Sequence, residues 1–502
     1  MHPTSTQMQH RQPLAIITLL SLFALAVQGF HPVAEDGGLY VAGIKKMLDP
    51  TLFTIRPEFV VAHLRFSPFA SAMAGVTRLA HIPLPWALLA LYAASIWATL
   101  YAGWMVMLRC TESRAAQYGS VALLACWLTM PIAGTSLLLM DPYVTSRSIS
   151  TPLALLSIAW ALDAAAGSAR GGMLCALSLV IAIVHPLMAG YAFVAVFTLL
   201  VVSTDRPQVK RWGPAILCVL AFAMAALVQN SAPAESNQYI AAEMTRTYWF
   251  PQLWHWYELF GLGAPLVVLI ALSYGSRNPR WRVLARMTIT LGAIAVAIAL
   301  TFSRVDTPTH LVARLQPLRC FQIVYEVMIL LLGAWLGEHW LRSKPLRWTL
   351  LLAALGGIMF YAQRSTYPAS AHFEFPRSTL KNPWQQAFLW IRDNTPKDAV
   401  FALDPHYITR DGEDAQSFRG IAERSVLPDY SKDGGETSIT PDLANAWTEG
   451  QLAQDGLDNE GDAVREAKLR PLGVGWVVLD RASVTLWPCP YANIQVKVCR
   501  LP

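Results

Sequence analysis

Long apolar runs recur along the first three quarters of this chain, beginning with LAIITLLSLFALAVQGF at 14–30. A bilayer core about 30 Å thick needs about 20 such residues in a helix. Lipid offers no partners to backbone N–H and C=O groups, so a continuous run of this kind crosses only as a helix. Composition agrees: 54% of the chain is hydrophobic and 14% charged, against about 25% charged in soluble domains. Eleven spans are predicted, near 12–31, 84–108, 118–140, 152–167, 172–186, 187–204, 213–230, 260–275, 286–303, 319–341 and 347–363. His185-Pro186 splits the 172–204 pair, because proline ends or kinks a helix.

Basic residues set the direction. With a cytoplasmic N-terminus, the cytoplasmic loops carry Arg11; Arg109 and Arg114; Arg170; Arg206, Lys210 and Arg211; Arg277, Arg280, Arg282 and Arg286; and Arg342, Lys344 and Arg347. Each such loop is basic, as the positive-inside bias requires. These loops account for the net charge of +6, so no nucleic-acid partner is called for. Residues 59–80 are apolar, but Arg65, Pro68 and Arg78 interrupt them. They are predicted to lie on the outer surface as interfacial helices, within a first external loop at 32–83. The N-terminus resembles a secretory signal, but cleavage would spoil the parity of the basic loops, so an uncleaved anchor is expected.

Two domains are expected: a transmembrane domain at 1–375 and an external α/β domain at 376–502. In the latter, Asn382 and Pro383 open a helix bearing Trp384, Phe388 and Ile391 on one face. AVFALD (399–404), GVGWVVLD (473–480) and NIQVKVCR (493–500) read as strands, and TPDLANAWTEGQLAQ as a helix. The polar, Gly-rich stretch up to about 439 reads as loop, with DGGE (433–436) as a turn. Cys489 and Cys499 flank a short turn and are expected to form a disulfide in an oxidising compartment. The other five cysteines lie in or beside spans as small hydrophobes.

The chain holds no Walker A, GxGxxG, HExxH or GxSxG motif. Glu326 stands inside a span, where an acid is a functional candidate. The larger set lies in external loops. Glu35 and Asp36 open the first, and Asp141 and Arg147 sit in the second. His185 caps a span. Glu235, Glu243, Arg246, His255 and Glu258 share the third loop; Arg304, Asp306, His310, Arg314 and Arg319 share the fourth. Arginine forks bind phosphate, and carboxylates serve as bases or hold divalent metals. Gly37 and Gly38 would let the backbone turn and approach a ligand.

A first span followed by AEDGGLYVAGIKKMLDPTLF, surface helices in that loop, the span count and an external domain containing WIRDNTPKDAVFALDP together resemble the GT-C glycosyltransferases. These are integral membrane enzymes that use polyprenyl-phosphate-linked sugars. A clean DxD and the WWD-type motif are missing. The resemblance implies Asp36 as general base, supported by Glu35, with Asp141 matching the second-loop acid more loosely. Arg319 is assigned to the lipid phosphate, Arg147 second, with Arg314, His185 and His310 as further substrate contacts. No cofactor is fixed, though Mg or Mn would suit the carboxylates. The place implied is a bacterial inner membrane with the C-terminal domain periplasmic. A transporter and a non-catalytic envelope-assembly protein are the alternatives.

Overall fold

The structure, a computed structural model, describes residues 5–168, 170–276 and 278–502. Arg277 falls outside them. The protein is a multi-pass membrane protein, mostly helical, with a small C-terminal sheet. Among the described residues, eight helices are long and apolar enough to cross: Leu84–Cys110, Ser146–Ala165, Pro186–Ser203, Pro207–Ser231, Trp256–Gly275, Pro279–Phe302, Leu311–Leu341 and Pro345–Thr366. Helices also stand at the other three expected spans, but they are shorter: Gln12–Gln28, Arg114–Trp127 and Gly171–Val184. By length and composition alone eight helices qualify as crossings, or nine if the bent pair Glu58–Phe66 and Phe69–Ala80 is one span, and the eleven expected are not confirmed.

The expected span at 118–140 shows why. Its helix stops at Trp127, and Pro131 pairs with Leu138 in an isolated bridge. Proline has no N–H to continue a helix. Gly134 also lies so close to the Trp254 ring that a Cβ would stand 2.5 Å from it. The segment becomes a buried, irregular shelf leading to the helix Ser146–Ala165. Residues 58–80 form two helical pieces, Glu58–Phe66 and Phe69–Ala80, bent by 99° at Ser67-Pro68. His185 separates two helices, as its proline neighbour demands.

The helix Phe321–Leu336 runs through the centre of the bundle and is almost wholly buried. It packs on Arg114–Trp127 through glycines: a Cβ on Gly333 would meet the Gly119 carbonyl at 2.5 Å. Small residues at such crossings let helices approach where lipid gives no hydrophobic drive. By contrast, the apolar windows of Pro207–Ser231 and Pro345–Thr366 are only 11% and 6% buried, so both helices sit at the bundle's edge.

The C-terminal sheet has five strands: β1 Val400–Ala402, β2 Ser425–Val426, β3 Trp476–Asp480, β4 Tyr491–Ala492 and β5 Val496–Arg500. Their order is β2-β1-β3-β5-β4. β1 runs parallel to β2 and β3, while β5 is antiparallel to β3 and β4. Trp384, Phe388 and Ile391 of the helix Pro383–Asn394 cover one face, beside Phe401 and Val498. Cys489 and Cys499 are bonded, with Cα atoms 3.9 Å apart. The stretch read as loop holds a further helix, Lys432–Ile439, so DGGE lies within a helix and not in a turn.

Candidate functional site

Glu35 and Asp36 open the helix Glu35–Leu48, directly after the first apolar helix. Glu35 has φ 51°, left-handed backbone that costs a non-glycine residue about 1–2 kcal/mol. The conformation is held from outside: the Glu35 N–H donates to Ala415 O at 2.8 Å, and Ala34 bridges to Gln416. Gly37 and Gly38 are helical, so neither makes the sharp turn expected of them. They are needed because protein presses on them: a Cβ on Gly37 would meet Tyr143 at 2.9 Å, and one on Gly38 would meet Ser417 at 2.2 Å.

The partner of both acids comes from the far end of the chain. The Lys432 ammonium donates to the Glu35 carboxylate and, at 3.0 Å, to Asp36. Lys432 opens its own helix and is set by a buried polar frame. Its N–H donates to Asp429 at 2.6 Å, the Asp429 N–H donates to Asp433 at 2.8 Å, and Arg419 donates to Asp433 at 2.6 Å. Burial and the nearby Asp433 carboxylate push Asp429 up from the ordinary range, against Arg419. Lys432 loses hydration on burial, but the two carboxylates outweigh this and raise its pKa.

The second-loop residues stand on the other side of Asp36. Thr145 caps the helix Ser146–Ala165: its hydroxyl accepts from the Arg147 N–H at 3.2 Å, and its own N–H donates to Ser148 at 3.1 Å. Arg147 forms a buried ion pair with Asp141. Ser146 bonds the Tyr40 hydroxyl at 3.0 Å, tying this end to the first-loop helix. Gln322 donates to Leu139 O at 3.0 Å and to Thr151 at 2.9 Å, which brings the Arg319 turn alongside. Arg319 and Arg246 lie over the ring of Tyr248, at 5.1 and 5.9 Å from its centroid. Neither has a carboxylate partner among the described residues.

These cations set the charge state of the site. Burial would raise the Asp36 pKa, but Lys432, Arg147 and Arg319 outweigh it and hold the carboxyl far below the usual range. His185 is pushed down to about 3 by burial and by Arg147 and Arg319, so it is neutral. Glu35, Asp36, Asp141, Arg147, His185 and Arg319 are thus within one another's reach or electrostatic field. Lys432 and Tyr248 belong with them and were not singled out from sequence. A lone lysine in a polar stretch and a tyrosine in an aromatic belt carry no distinguishing pattern.

His310 and Arg314 fall instead in a second cluster that joins the third and fourth loops. His310 Nδ1 lies 2.9 Å from Glu243 Oε2, and its backbone N–H donates to Glu235 at 2.9 Å. Arg314 donates to Glu235 at 2.5 Å and to Glu243 at 3.2 Å. Burial, with Glu235 nearby, raises the Glu243 pKa; against the desolvation of His310, Glu243 and Glu235 raise that of the histidine. Glu235, Glu243 and His310 offer ligand atoms within 4.8 Å of one another and could hold a metal ion. Arg314 already engages both carboxylates, so an ion entering there would displace it. At the first site the carboxylates face Lys432 and Arg147, and no set of three metal-ligating groups surrounds Asp36 among the described residues.

A family model described as a domain of unknown function, DUF6798, matches residues 382–434, the segment that carries Arg419, Asp429 and Lys432. No curated protein matches the chain. Among solved structures, the Archaeoglobus fulgidus oligosaccharyltransferase tethered with an acceptor peptide containing the NVT sequon aligns with a TM-score of 0.50. Identity is 11%, over 93% of this chain and 69% of that one. The same enzyme in complex with Zn and sulfate aligns at 0.49 and 13% identity, over 93% and 68%. The enzyme named AglB, in complex with an inhibitory peptide and a dolichol-phosphate, aligns at 0.47 and 13%, over 93% and 69%. The fold therefore resembles that of this oligosaccharyltransferase.

Proposed function

We propose that this protein transfers a sugar from a polyprenyl-phosphate-linked donor to an envelope acceptor at the external face of a bacterial inner membrane. The chain would cross eleven times, with its N-terminus cytoplasmic and residues 376–502 periplasmic. The observation that carries the reading is the pair Arg319 and Arg246 over Tyr248. Two guanidinium groups with no carboxylate partner among the described residues, near the ion-paired Arg147, form a cationic cluster next to partly exposed acids. Phosphate is the ligand such forks suit. In the transfer, the acceptor oxygen bonds the anomeric carbon while the carbon–phosphate oxygen bond breaks. The phosphate leaves with the electron pair, stabilised by the arginines. The acceptor proton passes to Asp36. A divalent ion, if one is used, would be held by Glu235, Glu243 and His310 once Arg314 gave way, and a histidine among them would suit Mn better than Mg.

The test compares lipid-linked sugars and envelope glycans from cells with and without the protein. Loss should accumulate one polyprenyl-linked sugar and remove one glycan. Arg319→Ala, expressed at the normal level, should reproduce that phenotype. Unchanged lipid-linked sugars on deletion would reject the reading.

A further inference from the structure

Lys432 has an odd position for a lysine that only stabilises the fold. Its ammonium joins Glu35 and Asp36, two carboxylates whose side chains are 43% and 40% exposed, while Lys432 itself is 11% exposed. Glu35 makes this contact from left-handed backbone held by Ala415 O. Of the three ammonium protons, two have partners among the described residues. The preceding residue is fixed to the cationic cluster: Ser431 O accepts from Arg246, the guanidinium that shares the Tyr248 ring with Arg319. Lys432 thus stands between the acids and the arginines. It is a point charge on a flexible four-carbon stem, able to turn from one to the other without moving its helix.

We propose that Lys432 is a phosphate-binding residue supplied by the C-terminal unit, parked on Glu35 and Asp36 before the donor binds and exchanged onto the donor's phosphate when the lipid arrives. The inference rests on the function proposed above and adds to it a role for the segment matched as a domain of unknown function. Exchange links two events. An arriving phosphate recruits Lys432, offsets Arg147 and Arg319, and leaves Asp36 without its main counter-charge. The acid that Lys432, Arg147 and Arg319 keep weakly basic becomes basic enough to take a proton only once the donor is seated. No bond forms or breaks in this step; one ammonium changes its anionic partner.

The exchange makes an unusual demand on mutants. If Glu35 and Asp36 compete with phosphate for Lys432, removing their charges should strengthen phosphate binding, whereas removing Lys432 should weaken it. The probe is polyprenyl monophosphate titrated into the full-length protein in nanodiscs of zwitterionic lipid. Wild type should bind, and Arg319→Ala should lose binding. Lys432→Met should weaken binding roughly tenfold, as expected for a charge-assisted hydrogen bond of about 1.5 kcal/mol or more. Lys432→Arg should restore most of it. The double variant Glu35→Gln/Asp36→Asn should bind more tightly than wild type. A merely structural ion pair would weaken or leave binding unchanged in both the Lys432→Met and the double variant. That result, with wild type still binding and Arg319→Ala still failing, overturns the role of Lys432 and spares the proposed function. Failure of wild type to bind overturns both. If Lys432→Met does not fold, the double variant, which keeps the lysine, decides alone by the sign of its change.

Discussion

Two acids that open one helix do different work. Glu35 takes the strained backbone and a single ammonium partner, whereas Asp36 lies in the joint field of Lys432, Arg147 and Arg319. Asp36 is therefore the residue whose charge the site controls. Asp36→Asn preserves size and hydrogen-bonding shape but cannot accept the acceptor's proton. Transfer should fall about 10²-fold or more, the usual contribution of a general base, with expression unchanged. Donor turnover by purified protein measures this, and near-wild-type turnover would remove Asp36 from the mechanism. A neighbouring histidine makes a pH prediction. His63 lies 3.2 Å from Glu436, and although burial opposes its charge, Glu436 and Asp36 raise its pKa above the ordinary 6.5. A raised folded-state value means that this contact stabilises fully below pH 6.5 and is lost as pH climbs through the higher value. The stability difference between wild type and His63→Gln should shrink on that rise. Comparing the two cancels His310, which shifts in the same direction. Thermal melts in detergent between pH 5 and 8 would show it, and a difference that grows with pH would contradict it.

The helix Glu35–Leu48 is held by the C-terminal unit as much as by the bundle. Ser417 presses on Gly38, Lys45 donates to Gly420 O at 2.8 Å and pairs with Glu423 at 2.7 Å, and Arg56 pairs with Glu449 at 2.5 Å. Gly38→Ala places a methyl group where the Ser417 side chain and the Val33 carbonyl stand. Overpacking of this kind costs about 1–3 kcal/mol. The variant should melt earlier and expose the 382–434 segment to protease, while the bundle helices stay resistant; wild-type melting would show that the contact yields freely. At the sheet, Cys489 and Cys499 tie β5 to the loop before β4. Cys489→Ser should lose about 2–4 kcal/mol, read as a lower melting point with donor binding retained. The same elements show what sequence can and cannot convey. β1, β3, β5 and the helix at Pro383 were legible because their apolar residues follow the strand and helix periods, with Asn382 as a cap. The Lys432–Ile439 helix was not. KDGGETSI carries two glycines and little apolar surface, so its own propensity opposes a helix. Tertiary partners, Arg419 on Asp433 and the Tyr239 hydroxyl on Ser438 O at 2.6 Å, decide its conformation instead.

Across the whole molecule, parity did most of what the sequence could do. On the expected topology, alternating basic loops would put Asp36, Asp141, Arg147, His185 and Arg319 on one side of the membrane, which is enough to suggest a site. Parity cannot bring Lys432 to Asp36 across 396 residues, nor separate His310 and Arg314 into a cluster with Glu235 and Glu243. Those depend on how the loops fold over the bundle. The geometry adds a constraint on topology that loop charge alone lacks. Lys432 and Glu35 touch, Arg65 donates to Thr440 at 2.8 Å, and Ser67 donates to Val184 O at 2.6 Å. The first loop, the C-terminal unit and the His185 break therefore share one face, whichever face that is. The proposed orientation puts this shared face outside, since Arg109, Arg206, Lys210, Arg211 and Arg342 stand in the loops expected to be cytoplasmic under the positive-inside bias. Reporter fusions that fluoresce or dephosphorylate on one side only should give the external signal after both residue 80 and residue 400, and the cytoplasmic signal after residue 206. Opposite signals at 80 and 400 would be incompatible with the contacts themselves. A shared cytoplasmic signal would keep the fold but turn the site away from a lipid donor whose sugar has been flipped outward.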